Sequence, residues 1–239
     1  MVTAENVTKR YVRRDGEVLA LDGVSLEVAE GEFVSIMGPS GCGKSTLLLT
    51  LGCLIRPSEG KVWLDGRSVY DLSHEEAAAL RLNTIGFVFQ TFNLIPYLTA
   101  LENVQMPLYL SGIPPSQQRE RAEQLLDKVG LGDRLHHKPS ELSVGQQQRV
   151  ALARTLANQP RLILADEPTG NLDPALAEEM LDHLEELHQE GVTVVMVTHD
   201  PRLAGRAQRQ LRLIEGRVVP DGGGTQIGGT HDASLRIRV

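Results

Sequence analysis

Val24, Leu26 and Val28 alternate with Ser25 and Glu27, the period-two pattern of a strand with one buried face. Ala29-Glu-Gly31 reads as a turn, and Glu32-Phe-Val-Ser-Ile-Met37 as a short apolar strand feeding a glycine-rich run. From Ser45 to Ile55 Leu and Thr dominate, which predicts a buried helix opening at that run. Pro57-Ser-Glu-Gly60 breaks it, and Lys61-Val-Trp-Leu-Asp-Gly66 predicts another strand and turn. Ile85-Gly-Phe-Val-Phe89 predicts a core strand ending at Gln90. Residues 91–157 have a more helical texture, with Ala122, Leu125, Leu126 and Val129 on one face of a charged segment. Leu162-Ile-Leu-Ala165 and Val192–Thr198 then predict two more buried strands. The acidic helix between them carries Met180, Leu181, Leu184 and Leu187 on its apolar side. Its Glu178, Glu179, Asp182, Glu185 and Glu186 read as a solvated face. Strands alternating with helices imply a mainly parallel sheet covered on both sides, an α/β class with a helical insertion. Beyond Val219, Pro220-Asp-Gly-Gly-Gly224 and Gly228-Gly229 predict a loose tail, and Leu235–Val239 reads as an edge strand or as disorder.

Composition narrows the function classes. The 239 residues are 41% hydrophobic and 23% charged, ordinary for a globular domain. A formal net charge of −7 gives no general attraction to nucleic acid or anionic lipid. Cys42 and Cys53 are too few for a disulfide framework, which suits a reducing cytosol. No apolar run approaches the roughly 18 residues that cross a bilayer, and Met1-Val-Thr-Ala-Glu-Asn6 lacks a secretory pattern. Any membrane part is therefore expected from another chain.

Gly38-Pro-Ser-Gly-Cys-Gly-Lys-Ser-Thr46 satisfies the phosphate-loop spacing, with an apolar strand before it and a helix after it. Backbone N–H groups of Gly38, Pro39's neighbours, Ser40, Gly41, Cys42, Gly43 and Thr46 would converge on phosphate oxygens, aided by the helix N-terminus. Lys44 is expected to bridge the terminal phosphates of ATP, and the Ser45 hydroxyl to ligate Mg²⁺. Cys42 is expected to pack or face solvent, without a redox role. Asp166 and Glu167 end an apolar strand. Asp166 suits a Mg²⁺ partner that holds bound water. Continued strand geometry would turn Glu167 to the opposite side, toward the γ-phosphate, as general base.

Leu142-Ser143-Val144-Gly145-Gln146 opens the helical run Val150–Leu156. This stretch resembles the signature sequence of ABC ATPases, in which Ser143, Gly145 and Gln146 would touch nucleotide from a helix start. The family usually has Gly where this chain has Val144, a β-branched residue that does not readily take positive φ. The resemblance spans about residues 4–219 and gives roles to further positions. Gln90 matches the glutamine that senses Mg²⁺ and water, Asp173 in Asn171-Leu-Asp173 the aspartate that communicates across a dimer, and His199 the histidine on the γ-phosphate. Tyr11 is the best match to the aromatic that stacks on adenine.

The resemblance implies a RecA-like P-loop core over residues 1–219 with an N-terminal antiparallel β subdomain, the helical subdomain at about 91–157 and a Gly-rich tail at 220–239. It implies a head-to-tail homodimer sandwiching two ATP molecules, on the cytoplasmic face of a membrane through permease subunits. Phe89–Pro96, Leu98–Val104 and Glu167–Asp173 are similar to the branch serving lipoprotein release, macrolide and peptide export, and cell division (the LolD, MacB and FtsE types). That branch implies a MacB- or FtsX-like permease, with a periplasmic adaptor in the case of efflux, and no nucleic acid. Phe92, Leu94, Ile95, Tyr97 and Leu98 read equally as permease contacts or as subdomain core. The alternatives are a soluble ABC ATPase with a non-transport role, and a scaffold that binds ATP without hydrolysing it. Intact Lys44, Asp166, Glu167 and His199 oppose the scaffold.

Overall fold

A computed structural model describes residues 1–14 and 16–219; the expected loose tail and the alternating stretch at 235–239 lie outside the described residues. Among the described residues the strands form two sheets. The first joins β1 (Val2–Arg13), β2 (Gly16–Val28), β4 (Glu59–Leu64) and β5 (Arg67–Ser68) in the order β2-β1-β4-β5, every pair antiparallel. Val2, Ala4, Val7, Val24 and Val28 turn into the core from its inner face.

The second sheet has the order β10-β9-β3-β8-β7-β6. Its strands β3 (Phe33–Met37), β6 (Ile85–Phe89), β7 (Leu162–Asp166), β8 (Thr193–Thr198) and β9 (Arg209–Ile214) run parallel, and β10 (Arg217–Val219) returns antiparallel. Period two divides its central strands between two cores. Val34, Ile36, Leu162, Leu164, Val195 and Val197 face helix α1 (Lys44–Leu51) and the first sheet. Phe33, Ile163, Ala165, Val194 and Met196 face α6 (Pro174–Gln189), which contributes Met180, Leu181, Leu184 and Leu187. Burial on both sides explains why these strands read as unbroken apolar runs.

Between β6 and β7 the chain is helical. Helices α3 (Ala100–Leu110), α4 (Pro115–Lys128) and α5 (Val144–Leu156) enclose their own cluster, with Leu101, Val104, Leu126 and Val150 at its centre. Residues 91–99 are not helical; buried Asn103 organises part of this loop, donating to the carbonyls of Ile95, Leu98 and Thr99. Of the apolar residues there, Leu94 packs on the helical cluster while Ile95 and Tyr97 are exposed.

Several local expectations are corrected. Helix α1 stops at Leu51 rather than Ile55, because Gly52 ends it and Cys53 adopts a φ of 62°. The α6 acids are not simply solvated: Arg206 reaches Glu178, Asp182 and Glu185, pinning the segment after α7 (Pro201–Ala204) to α6. Helix α2 (His74–Thr84) opens on a capping box, Ser73 accepting from Glu76 N while the Glu76 carboxylate accepts from Ser73 N, and Leu80 packs it on the core.

Strands β3, β6, β7 and β8 end at the same edge of the parallel sheet. Gly38, Gln90, Glu167 and His199 each follow one of those ends directly. Ligands of open α/β sheets lie at such an edge.

Candidate active site

The loop after β3 turns through Gly41 (φ 79°) and Gly43 (φ 105°) into α1. Gly43 is required twice over: its φ is left-handed, and a Cβ there would lie 2.2 Å from the Ala20 carbonyl oxygen. The loop carbonyls hold the buried Lys44 ammonium, which donates to Gly38 O at 2.9 Å and Pro39 O at 3.1 Å. Lys44 Nζ lies 3.8 Å from Glu167 Oε1.

At the end of β7 the two carboxylates separate. Ser45 Oγ donates to Asp166 Oδ1 at 2.9 Å. Burial pushes the Asp166 carboxyl above the ordinary range, against the opposing effect of the Ser45 hydrogen bond. Glu167 faces Lys44 and His199, but not by continued alternation. The strand ends at Asp166 and Glu167 adopts φ 46°, while its N–H still donates to Val197 O at 3.0 Å. A bulky residue held in that region costs about 1–3 kcal/mol, an expense typical of functional sites. His199 Nδ1 stands 2.9 Å from Glu167 Oε2, so the ring carries its proton on Nδ1 toward the carboxylate.

Lys44, Ser45, Glu167 and His199 share an open cavity of about 520 Å³ with Ser40, Gly41, Gly43, Thr46, Gln90 and Tyr11, and Asp166 reaches it through its contact with Ser45. Val18, Leu19 and Ala20 of β2 form an apolar wall beside Tyr11. Lys9 Nζ sits 5.2 Å from the Tyr11 ring centroid, which places a cation against the ring. The Cys42 side chain is buried and does not line the cavity. Gln90 Nε2 donates to Asn171 Oδ1 at 3.4 Å, and Asn171 Nδ2 donates to Gln90 O at 3.0 Å. Among the described residues no cluster of three His, Cys, Asp or Glu side chains forms a metal cage. Ser45, Asp166 and Gln90 do offer hard oxygens, and Asp166 stands half-buried at the end of β7 with Ser45 on its carboxylate. That set fits Mg²⁺, which takes one or two carboxylates plus phosphate oxygens and water.

Ser143, Gly145, Gln146 and Asp173 do not join this cavity. Ser143 is exposed and caps α5, accepting from Gln146 N at 3.3 Å, while the Gln146 amide oxygen accepts from Ser143 N at 2.9 Å. The Gln146 side chain is thus committed to the capping box. The N–H groups of Val144 and Gly145 have no partner among the described residues, as the first turn of a helix dictates. Val144 is the first residue of α5 and has no positive φ, so the substitution costs the loop nothing conformationally. Asp173 is also exposed and caps α6 through Ala175 N and Leu176 N. A Cβ at Gly145 would lie 2.8 Å from Leu176 Cδ2, so these two helix starts pack together.

The apolar wall at Val18–Ala20, the Asn171 clasp on Gln90 and the Lys9 cation at Tyr11 were not foreseen. The Asn171 clasp joins residues 81 apart, whereas the wall and the Lys9 contact arise within the β1–β2 pair, from strand register that the sequence pattern left unset.

The sequence model described as "ABC transporter" matches residues 21–170. An uncharacterized ABC transporter ATP-binding protein of Thermotoga maritima is 53% identical over 213 residues, covering 89% of this chain and 91% of that protein. The macrolide export ATP-binding/permease protein MacB of Hyphomonas neptunium is 49% identical over 226 residues, 95% of this chain but 35% of that protein. The chain therefore spans about a third of the length of this relative. Among solved structures, the dimeric post-hydrolysis state of the ATP-binding cassette MJ0796 bound to ADP and Pi superposes with a TM-score of 0.86 at 46% identity, over 96% of this chain and all of that one. CbiO1 of Clostridium perfringens, part of the transporter complex cbiONQ, gives 0.79 at 30% identity, over 92% of this chain and 86% of that one.

Proposed function

The chain belongs to the ABC transporter family as an ATPase cassette, and on that premise we propose that it works as a head-to-tail homodimer driving a MacB- or FtsX-like membrane permease. The observation that carries this reading is a division within the chain. Lys44, Ser45, Glu167 and His199 meet in one open cavity, whereas Ser143 and Gly145 lie outside it with unspent donors at the start of α5. One subunit supplies the first half-site and its partner the second, with ATP closing them together.

Tyr11 and the Val18–Ala20 wall receive adenine. Loop N–H groups and Lys44 hold the phosphates, the ammonium leaving its two carbonyls for phosphate oxygens. Ser45, Asp166 and Gln90 would hold Mg²⁺, which when bound would supply charge neutralisation to the phosphates. Glu167 takes the proton from water as it attacks the γ-phosphorus, and the bond to the leaving β-phosphate oxygen breaks. The strained Glu167 backbone fixes that carboxylate between Lys44 and His199. With Nδ1 given to Glu167, His199 offers its Nε2 side to the γ-phosphoryl group.

The permease contact is assigned to a second cavity, of about 960 Å³, between α2, β6, α3 and α5. Phe87, Phe89, Ile95, Met106 and Leu110 give it apolar walls, and exposed Tyr97 and Tyr109 stand on nearby segments. An amphipathic cytoplasmic segment of a permease suits such a groove. On this proposal the cassette sits on the cytoplasmic face of a membrane. Export is the process favoured by the MacB likeness, and a periplasmic adaptor is part of the proposal in that case.

The test uses purified Glu167→Gln protein with ATP and Mg²⁺, followed by light scattering. Dimerisation with slowed hydrolysis is expected, and Lys44→Ala protein is expected to remain monomeric. A monomeric Glu167→Gln protein refutes the sandwich, and one hydrolysing at the wild-type rate refutes the base. Recovery of ribosomes or DNA, rather than an integral membrane protein, on affinity isolation from membranes refutes the permease.

A further inference from the structure

Arg154 lies in the last turn of α5, ten residues beyond the Val144 start of that helix. Its guanidinium donates through Nη2 to Phe92 O and through Nη1 to Asn93 O, each at 2.6 Å. Both acceptors belong to the chain just past Gln90. Phe92 and Asn93 have φ values of 25° and 49°. Asn visits this region at modest cost, but Phe does so only when held. The two successive carbonyls are engaged by one planar guanidinium, whose forked donors suit paired acceptors.

The charge on Arg154 has no local explanation. Among the described residues no carboxylate pairs with it, and burial, with no compensating acid, lowers its proton affinity. A half-buried cation that serves only as packing would be better replaced by an apolar residue. Here it faces two carbonyls of a strained segment, and on the other side of that segment Gln90 is held by Asn171 at the nucleotide cavity.

We propose that Arg154 is a positioning residue for Gln90: its fork clamps the Phe92 and Asn93 carbonyls and so ties the chain leaving Gln90 to the helix that presents Ser143 and Gly145. Gln90 then has two anchors. Asn171 holds its side chain and backbone from the β7–α6 loop, and Arg154 holds the following residues from α5. A tilt of α5 is passed to Gln90 over three residues, without any contact between Arg154 and nucleotide. Arg154 also lines the groove assigned to the permease, so a segment docking there meets the clamp directly. The inference rests on the proposed role of Gln90 in hydrolysis.

The experiment is a double-mutant cycle in the full chain, with Gln90→Ala, Arg154→Gln and the two combined, measuring kcat, KM for ATP and melting temperature. Arg154→Gln is expected to lower kcat by about tenfold or more, as misplacement of a site group does, with KM changed less than about twofold. The double variant is expected to be no slower than Gln90→Ala alone, because both changes act on one group. Arg154→Lys, which keeps the charge and the stem but offers no fork, is expected to fall with the Gln variant. It carries the same cycle should Arg154→Gln fail to fold. Multiplicative losses, a loss confined to KM, or full rescue by Lys overturns the clamp. A slow Gln90→Ala beside a wild-type Arg154→Gln also overturns the clamp while sparing the role of Gln90. A wild-type rate in Gln90→Ala overturns that role and the inference with it.

Discussion

His199 Nδ1 meets Glu167 Oε2 at 2.9 Å, joining the residue after β8 to the residue after β7 across the mouth of the cavity. The pair is asymmetric: the Glu167 side chain is 18% exposed and that of His199 is 69% exposed. The carboxylate is fixed by its backbone, and the imidazole closes on it from the solvent side. His199→Ala should therefore leave Glu167 in place but remove a donor at the γ-phosphate. Loss of one such donor typically costs about 10²–10³-fold in rate. Steady-state kinetics should show that fall in kcat with KM for ATP little changed, and nucleotide-binding assays should show affinity retained.

Asp166 makes the free chain less stable than it need be. Its folded-state pKa is raised, chiefly by burial. A raised carboxyl pKa favours the folded state most below the unfolded pKa. That advantage is lost as pH rises through the folded value. At neutral pH the ionised group therefore costs stability. Asp166→Asn should melt at a higher temperature than wild type at pH 7 to 8 without nucleotide. The gap should shrink as the pH is lowered through the folded value toward the ordinary carboxylate range. The same variant should lose Mg²⁺ affinity by about 10–100-fold, the usual penalty for a lost partner of a metal site. Thermal melts across pH and a Mg²⁺ titration of hydrolysis check both halves.

What the sequence disclosed and what it hid divide by distance along the chain. Gly38–Thr46 is legible because its chemistry lies in contiguous N–H groups, and Asp166-Glu167 because a buried apolar strand delivers both acids to one edge. Helical texture is legible where a face is apolar, as in α4 within 91–157, and lost where the helix is polar, as in α2 at 74–84. Strand β9, with Arg209, Gln210 and Arg212 among its six residues, gave no apolar run. The clasp of Gln90 by Asn171 spans 81 residues and the reach of Arg154 to Asn93 spans 61. No periodicity encodes contacts of that kind. The side Glu167 faces, toward Lys44 and His199, is set by a left-handed φ rather than by strand alternation, and nothing in the sequence pattern signals that turn.

Tyr11 is placed to test the adenine end of the cavity. Its ring lies beside Val18, Leu19 and Ala20 and near the Lys9 ammonium. Aromatic stacking contributes about 0.5–1.5 kcal/mol beyond buried area. Adenine lies far from the reacting phosphorus, so this interaction is equal in ground and transition states. Tyr11→Ala should therefore raise KM for ATP by about three- to tenfold and change kcat by less than about twofold. Tyr11→Phe should retain wild-type kinetics, because the ring face rather than the hydroxyl makes the contact. A kcat effect in either variant would place Tyr11 nearer the chemistry than the cavity does.

Val144 is the position where this chain departs from the usual signature, and its geometry predicts that Gly would not improve the fold. It opens α5 without positive φ, directly after the Ser143 cap, and is 50% exposed. Gly there would add freedom to the unfolded chain without relieving strain, at a cost of a few tenths to about 1 kcal/mol. Val144→Gly should lower the melting temperature by about 1–4 °C. The Val side chain also stands outward beside the unspent Gly145 N–H, on the surface assigned to the partner's nucleotide. Nucleotide-driven dimerisation of Glu167→Gln protein, compared with and without Val144→Gly, separates the two effects. A lower melting temperature with tighter dimerisation would assign Val144 a steric restraint on closure. A higher melting temperature would mean that the α5 start is strained after all.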